Sequence, residues 1–447
     1  MAAGADEPDA GPPDRPVSWI EAARERVGRE RLRELVTGLV AIPSPTGDEG
    51  PLAEHAASEL AKGGLRAGTL PLDDRQSSAW ARLPGASAGR DLMLYAPIDT
   101  LTTGRPEEDV PWIGPELRPD MRPDPVVHGD YVVGLGAGNP KGHAACVMAA
   151  AEAIAAAGVP LAGDLLVGLG AGGMPTNALR LDGDARRHTG QGVGCSFLLE
   201  QGLWADHAVI AKPGWTVSHE EVGLAWFEVT VHGTHTYAGS RHRLPYRNPI
   251  ALAGEVVAGL EAWFEEYTVR HTSGTVAPQG VVSAIEGGWT RMAAVTPAAC
   301  RFRCDLRLPP DLPPMAAKRE FGAAIEKIAA EAGAEITWEM VLAIPGTRTD
   351  PTDAAVTAAV AAFEEAEGRP HEPVTGNSGA TDANILRSRG IPAVRIGMPK
   401  ARTGDLGIDP ASDFQMGMNT VDLSEMERLT RLLIRVAIDV IGVRDAR

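Results

Sequence analysis

The sequence predicts an α/β protein with a mixed, mostly parallel sheet flanked by helices, and a smaller ferredoxin-like α+β domain inserted into it. Three observations lead to this prediction. Short apolar strands alternate with helical segments up to about Pro213, as they do in βαβ units. The order then changes to β-α-β-β-α-β, which is that of a ferredoxin-like unit. After about residue 343 the first pattern resumes, which makes the second one an insertion.

The expected boundaries follow from these changes of pattern. Residues 1–16 are mainly Ala, Gly, Pro and Asp without an apolar period, and we expect a disordered tail. Residues 17–216 and 344–447 form the α/β domain, and residues 217–343 form the inserted domain.

The elements follow in chain order. Apolar residues recur at helical spacing from Trp19 to Leu39, and the turn at 42–47 ends this predicted helix. The inserted domain has predicted strands at 226–231, 280–285, 299–308 and 335–342, and predicted helices at 249–264 and 314–332. A helix at 354–367, a strand at 392–396 and a helix at 424–440 complete the α/β domain.

Length and charge limit the classes of function. The 447 residues exceed the size of a single core, so we expect two domains. The net charge of −17 argues against a nucleic-acid partner, because phosphate binding needs clustered Lys and Arg. There is no apolar run of ~18 residues and no signal peptide, which predicts a cytoplasmic protein without a membrane partner. The four cysteines are expected to be inert: Cys146, Cys195, Cys300 and Cys304.

Five apolar strands end in glycine-rich or polar turns, where we expect the chemistry. The central turn is GLGAGNPKGH at 134–143, and the others lie within 92–100, 165–175, 207–214 and 375–384. Glycine-rich turns between strand and helix aim backbone N–H groups at ligands. In open α/β sheets ligands bind beyond the carboxyl ends of the strands. The five turns are therefore predicted to line one cleft.

These turns resemble the motifs of the dinuclear-zinc amidohydrolases, the family of aminoacylase, acetylornithine deacetylase, succinyl-diaminopimelate desuccinylase and carboxypeptidase G. The resemblance begins at about residue 32 and rests on seven segments in order: LVAIPSPTGDEG, YAPIDT, GLGAGNPKG, LLVGLGAGGMP, VIAKPG, CDLRLPP and GATDAN. It implies an amidase or peptidase scaffold whose inserted domain pairs two copies into a homodimer.

The zinc-binding positions of that family carry other residues here. In chain order they are a His, a bridging Asp, paired glutamates, a further carboxylate and a last His, and they correspond to Pro97, Asn139, Ala171, Gly172, Lys212 and Asn419. Neutral side chains and a lysine do not supply the imidazole and anionic donors that zinc needs. We therefore expect neither a metal site nor another cofactor.

The other residues in the matched turns are the candidates for function. The candidate catalytic residues are Asp99, Lys141, Lys212, His143 and Tyr237. The two lysines and Tyr237 would stabilise negative charge, and Asp99 or His143 would move protons. A desolvated Lys212 would also act as a base or nucleophile with a lowered pKa. The candidate substrate-binding residues are Asn139, Arg307, Thr381, Asp382 and Asn419; the resemblance implies a substrate carboxylate contact for Arg307.

The sequence leaves three hypotheses of function open. The first is a metal-independent enzyme that acts on an amide, an N-acyl amino acid or a peptide-like metabolite by hydrolysis, acyl transfer or condensation. The second is a non-catalytic relative that binds a small ligand or a partner. For the single residues, the alternatives are a turn residue for Asp99, surface charges for Lys141 and Arg307, a solvated side chain for Lys212 and a structural role for His143. The third is an ordinary zinc enzyme with ligands such as His128, His143 and His235.

One motif points to another class of protein. Gly168, Gly170 and Gly173 match the dinucleotide-binding pattern G-x-G-x-x-G after a strand. The helix that must follow is absent from the sequence pattern, since Met174 and Pro175 begin a polar segment. We therefore do not expect a dinucleotide site.

Overall fold

The computed structural model describes residues 16–86, 89–178, 188–243, 245–402, 406 and 418–444. The chain divides into two compact units. The first consists of Met1–Trp215, Ala354–Pro370 and Arg395–Arg447, and the second of Thr216–Asp353 and His371–Val394. Apart from Pro16, which begins the first helix, the predicted disordered tail lies outside the described residues.

The second unit includes a segment that the sequence boundaries place in the first domain. Residues 371–394 group with the second unit, and polar side chains of this segment form hydrogen bonds there. Thr381 Oγ1 donates to Glu221 Oε2 at 2.5 Å, and Asn384 Nδ2 donates to the carbonyl oxygen of Val222 at 2.8 Å. These contacts join the turn at 375–384 to the start of the inserted domain.

Both units are built from helices and strands together. The helices are α1 (Pro16–Arg24), α2 (Arg29–Val40), α3 (Gly50–Lys62), α4 (Pro106–Asp109), α5 (Lys141–Ala156), α6 (Val193–Glu200), α7 (Pro249–His271), α8 (Pro314–Glu331), α9 (Ala354–Glu367), α10 (Ala383–Ser388) and α11 (Leu423–Ile441). The strands are β1 (Arg66–Pro71), β2 (Ser77–Leu83), β3 (Leu92–Pro97), β4 (Val126–His128), β5 (Tyr131–Val133), β6 (Leu165–Gly170), β7 (His207–Ala211), β8 (Glu220–Glu221), β9 (Gly223–His232), β10 (Thr236–Tyr237), β11 (Gly280–Gly287), β12 (Val295–Thr296), β13 (Ala299–Leu308), β14 (Glu335–Ile344), β15 (Thr347–Arg348), β16 (Ala393–Ile396) and β17 (Thr420–Asp422). Within the described residues, no helix is long and apolar enough to cross a membrane.

The main sheet has the order β1-β2-β6-β3-β7-β16. Strand β3 runs parallel to β6 and β7, whereas β1–β2 and β2–β6 are antiparallel. Every residue of β3, β6 and β7 is buried, as expected for parallel strands covered on both faces. The Ala-rich helix α5 is almost wholly buried and packs against α2, α11 and β3. The predicted mixed α/β sheet with flanking helices is confirmed.

The first predicted helix is wrong in one respect. The structure has two helices, α1 and α2, where the sequence predicts one helix from Trp19 to Leu39. Gly28 separates them with an extended backbone, φ −110° and ψ 127°. Glycine is a poor helix former. The helix therefore breaks at Gly28, although the apolar residues on both sides recur at helical spacing.

The second unit contains a four-stranded antiparallel sheet with the order β11-β13-β9-β14. Helices α7 and α8 pack on it, which gives the predicted β-α-β-β-α-β arrangement. Buried and half-buried residues alternate along β9, so one face of the strand meets the helices. The rings of Phe227 and Phe321 stack there with centroids 3.9 Å apart. The predicted inserted α+β domain is therefore confirmed.

Candidate functional site

The site in the first unit is built around Asp99, directly after β3. Asp99 is fully buried. Its Oδ2 accepts hydrogen bonds from Thr46 Oγ1 at 2.6 Å and from the backbone N–H of Met174 at 3.0 Å, and its Oδ1 accepts one from the N–H of Gly173 at 2.8 Å. Burial raises the pKa of Asp99, and these donors oppose the rise. Asp99 thus joins the turn after β3 to the turn after β6.

Lys212 follows β7 and is the positive charge of this site. Its side chain is buried, with only 6% of the residue exposed, and Nζ lies 3.7 Å from the sulfur of Met174. The ammonium charge also opposes the rise in the pKa of Asp99 that burial causes. The structure therefore brings two sequence candidates, Asp99 and Lys212, into one buried neighbourhood of opposite charges.

A second carboxyl, Glu49, lies in this site and was not among the sequence candidates. Its Oε1 accepts hydrogen bonds from the N–H of Gly172 at 2.8 Å and from Gln76 Nε2 at 3.3 Å. Burial, and then the charge of Asp99, raise the pKa of Glu49 to about 8, and backbone N–H groups oppose only part of the rise. The sequence places Glu49 at the start of α3, where a glutamate is ordinarily solvated. No local sequence pattern distinguishes a buried glutamate at this position from a solvated one.

The turn after β6 contributes backbone N–H groups instead of carboxylates. The consecutive N–H groups of Gly172, Gly173 and Met174 donate to Glu49 and Asp99. Gly172 has φ +59°, and a Cβ there would lie 2.1 Å from the carbonyl oxygen of Thr189. A side chain at this position, which the resemblance aligns with a zinc-site glutamate, would force the backbone around it to shift.

Replacing Gly172 with alanine is expected to lower the free energy of unfolding by about 1 to 3 kcal/mol, because a left-handed backbone and a clash are added together. Gly158→Ala is the matched control. Its φ is +63°, but nothing lies within 4 Å of the added Cβ. Urea unfolding of both variants gives the comparison. Equal losses would show that the turn after β6 is not crowded.

His143 is held by backbone groups at both ring nitrogens, and its predicted role as a proton carrier stays a prediction. Its Nδ1 lies 2.8 Å from the carbonyl oxygen of Gly138 and its Nε2 accepts the N–H of Met398 at 3.1 Å. Burial, together with the charges of Lys212 and Arg395, lowers the pKa of His143 to about 3. With both nitrogens bound to backbone, the ring holds the start of α5 against the strand end at Met398.

Lys141 is fully buried, at the first residue of α5. Its Nζ donates to the carbonyl oxygen of Ile42 at 2.8 Å, which ties α5 to the segment after α2. Burial lowers the pKa of Lys141 to about 7. This contact is structural, and a role in stabilising negative charge stays a prediction.

The two candidate asparagines differ. Asn419 is satisfied inside the protein, since its Nδ2 donates to Asp120 Oδ2 at 3.1 Å and its Oδ1 accepts the N–H of Gly136 at 3.0 Å. Its predicted contact with substrate stays a prediction. Asn139 donates to the sulfur of Met418 at 3.4 Å, and its buried Oδ1 has no partner among the described residues. The predicted contact of Asn139 with substrate stays a prediction.

The remaining candidates belong to the second unit. Tyr237 is 60% exposed on β10. Arg307 donates through Nε to Asp305 Oδ1 at 2.6 Å, and its Nη1 lies 3.5 Å from the carbonyl oxygen of Ser378. Thr381 binds Glu221, and Asp382 is buried at the start of α10. The predicted catalytic role of Tyr237 and the predicted substrate contacts of the other three stay predictions.

The donors among the described residues do not form the zinc pair that the resemblance implies. Across the part of the chain that the structure describes, no group of three or more His, Cys, Asp or Glu is placed to hold a metal ion. His143 is bound to backbone at both nitrogens, and Nδ1 of His235 lies 2.8 Å from the carbonyl oxygen of Thr296 in the second unit. These histidines and His128 therefore form no chelating set.

Comparison with known proteins agrees with this architecture. Residues 219–333 match the M20-family profile described as the peptidase dimerisation domain. Human carnosine dipeptidase 1 is 14% identical with a TM-score of 0.68, and the match covers 96% of this chain and 99% of that chain. The aminopeptidase PepT of Bacillus cereus is 16% identical with a TM-score of 0.64, and the match covers 93% of this chain and 100% of that chain. An M20-family metallo-carboxypeptidase of Sulfolobus solfataricus is 14% identical with a TM-score of 0.65, and the match covers 92% of this chain and 99% of that chain. At these identities the similarity shows the fold, so the chain has a peptidase- and amidase-like scaffold with a peptidase dimerisation domain at 219–333.

Proposed function

We propose that this protein is a metal-independent enzyme that acts on an amide, an N-acyl amino acid or a peptide-like small metabolite. The observation that carries the proposal is the buried neighbourhood of Lys212 and Asp99 at the carboxyl ends of β7 and β3. Lys212 stands where the resemblance puts a zinc-binding carboxylate. One fixed positive charge therefore takes a place at which the family uses metal.

The chemistry follows from the groups at this site. A buried ammonium stabilises the negative charge that develops on a carbonyl oxygen when a nucleophile attacks the carbon. Asp99 accepts three hydrogen bonds, and the charge of Lys212 opposes the rise in the pKa of Asp99 that burial causes. Asn139 Oδ1 offers an acceptor to an amide N–H of the substrate. These roles suit hydrolysis, acyl transfer or condensation at a C–N bond.

A second candidate is a non-catalytic relative that binds the same class of ligand. It is favoured by one observation: His143 and Asn419 have all their described polar groups bound inside the protein. Such residues are suited to a rigid binding site. This candidate predicts that a bound ligand is returned unchanged.

The experiment is a turnover assay on chelator-treated protein with a panel of N-acyl amino acids and dipeptides, followed by mass spectrometry. We expect product with the natural protein and at least about 100-fold less with Lys212→Met. Lys62→Met is the control, since Lys62 is an exposed lysine paired with Glu59. Ligand bound but unchanged supports the second candidate. Near-stoichiometric zinc by elemental mass spectrometry, with activity that depends on it, overturns metal independence.

The same scaffold supports a homodimer formed through the second unit. Strand β11 is at the edge of its sheet, and Val281 and Ile285 on it are 46% and 55% exposed. Exposed apolar edges are where strands pair with another chain. We expect Ile285→Lys to shift the dimer to monomer in light scattering. Met315→Lys, an equally exposed apolar position on α8, is expected to stay dimeric. Unchanged mass in both variants would contradict this edge as the interface.

A further inference from the structure

A cavity in the first unit adjoins the Asp99 site, and the proposed function does not use it. Its volume is about 390 Å³, and small-molecule sites range over roughly 300 to 1,000 Å³. Pro45, in the wall of this cavity, precedes Thr46, which donates to Asp99. The backbone of Pro45 also pairs in a β-bridge with that of Thr100, the residue after Asp99. The cavity is therefore next to the site, although other residues line it.

Proline rings make up much of the cavity wall. Proline supplies 35 of the 447 residues of the chain but four of the nine residues that line this cavity, namely Pro43, Pro45, Pro51 and Pro123. All four are half-buried or exposed, so their ring CH₂ groups are accessible to a ligand. A proline ring fixes φ and has no polar side-chain atom. These walls are therefore apolar and preformed, and they suit an apolar group.

Two of the four charged side chains in the wall neutralise each other, since Arg75 Nη2 lies 2.6 Å from Asp48 Oδ1. The other two are Asp74 and Arg105. Asp74 is exposed and has no hydrogen bond or ion pair with any described residue. Arg105 pairs through Nη2 with Glu108 at 2.5 Å, and its Nε and Nη1 have no partner in the described part of the chain. The cavity thus offers one carboxylate and one guanidinium to a ligand.

The turn that carries Arg105 is held in place. The buried carboxylate of Asp109 accepts the backbone N–H groups of Thr103 at 3.1 Å and of Gly104 at 2.8 Å. Gly104 has φ +77°, and a Cβ there would lie 2.9 Å from Cδ of Pro123, so the turn packs closely against one proline wall. The N–H of Arg105 itself donates to Thr103 Oγ1 at 3.0 Å. The backbone from which the guanidinium extends is thereby fixed.

Asp74 lies in a similarly restrained turn, between β1 and β2. The side chain of Asp73 accepts the backbone N–H groups of Arg75 at 2.8 Å and of Gln76 at 2.7 Å. The carbonyl oxygen of Arg75 accepts the N–H of Gly50, at the start of α3, at 2.9 Å. Turns that are already ordered lower the cost of ordering a binding site when the ligand arrives.

We propose that this cavity is a second ligand site, which binds an apolar α-amino acid in its zwitterionic form. The side chain of the ligand packs on the proline rings, its carboxylate accepts from Arg105, and its ammonium donates to Asp74. Hydrogen bonds between charged groups are stronger than neutral ones, so both charges of the ligand contribute to recognition. The proposal goes beyond the proposed function and does not rest on it, because binding needs no turnover.

The test is a ligand-observed NMR titration of the full chain with L-leucine, L-leucinamide and N-acetyl-L-leucine. Leucinamide lacks the carboxylate and N-acetyl-leucine lacks the ammonium, so each is expected to bind at least about tenfold more weakly than leucine. L-Alanine keeps both charges but has less apolar surface to place on the proline rings. It is also expected to bind at least about tenfold more weakly.

Two variants assign the two ends of the ligand. Arg105→Gln should weaken the binding of L-leucine at least about tenfold and leave that of L-leucinamide unchanged, because leucinamide has no carboxylate to lose its partner. Asp74→Asn should weaken L-leucine by a similar factor and leave N-acetyl-L-leucine unchanged. Arg33→Gln is the control, since Arg33 pairs with Glu30 as Arg105 pairs with Glu108 but lies outside the cavity wall. It should change no affinity.

The other outcomes overturn the proposal. If L-leucine does not bind, the cavity is not a site for an apolar amino acid. If L-leucine binds and is weakened by Lys212→Met but by neither cavity variant, it is held at the Asp99 site instead. If either capped form binds as tightly as leucine, the charge that it lacks is not recognised, and the assignment of a zwitterion to Asp74 and Arg105 is wrong.

Discussion

Replacing Lys212 with methionine is expected to lower the free energy of unfolding by about 3 to 5 kcal/mol. Methionine fills nearly the same volume, so the loss comes from charge. Lys212 and Asp99 are both buried, and the ammonium opposes the rise in the pKa of Asp99 that burial causes. Removing one partner of such a pair leaves the other charge uncompensated in a region of low dielectric constant. Unfolding in urea at pH 7 measures the loss.

Two further variants show whether the loss depends on Asp99. In the double variant Lys212→Met with Asp99→Asn, no uncompensated charge remains, and we expect part of the stability to return. Recovery is partial because the amide NH₂ of asparagine faces the N–H of either Gly173 or Met174. The coupling free energy in this double-mutant cycle should be about 1 to 3 kcal/mol. Lys62→Met, which removes a surface ion pair, should cost less than about 1 kcal/mol. A coupling near zero would contradict the pairing of Lys212 with Asp99.

The fold of the second unit could be predicted almost completely, because each element there has a strong local signal. The predicted strand at 299–308 has the bounds of β13, and the predicted helix at 249–264 lies within α7. Strand residues alternate between core and solvent, so period-two patterns mark their position. The error at α1 and α2 has a local cause, the extended backbone of Gly28. The grouping of residues 371–394 with the second unit depends on contacts between segments that are distant in the chain, which no local pattern contains.

The candidate site could be predicted only in part. Asp99 and Lys212 could be named as candidates because they follow buried parallel strands, and the topology brings such strand ends together. Glu49 was missed because its burial depends on the turn after β6, 123 residues later in the chain. His143 and Asn419 were assigned to function because they lie in the right turns. Their hydrogen bonds to Gly138 and Gly136 hold the glycine-rich turn, and no sequence pattern indicates these contacts.

The variants Glu49→Gln and Lys141→Met are expected to change the pH dependence of stability in opposite directions. Burial raises the pKa of Glu49 from 4.5 to about 8. Its contribution to stability is therefore fully present below pH 4.5 and is lost as the pH rises through 8. Burial lowers the pKa of Lys141 from 10.5 to about 7. Its contribution is present above pH 10.5 and is lost as the pH falls through 7.

The measurement is the free energy of unfolding in urea between pH 5 and pH 10, with Glu54→Gln and Lys62→Met as exposed controls. At about 1.4 kcal/mol per pKa unit, each buried group changes stability by several kcal/mol across its range. The free energy of unfolding of Glu49→Gln, relative to that of the natural protein, should increase as the pH rises. That of Lys141→Met should increase as the pH falls. The offset from the lost hydrogen bond to Ile42 lowers the whole Lys141→Met curve without changing its slope. Curves parallel to that of the natural protein would mean that both side chains reach water. Divergence for Glu49 alone would mean that Lys141 keeps its charge through its contact with Ile42, whereas the carboxyl beside Asp99 is held neutral by its surroundings.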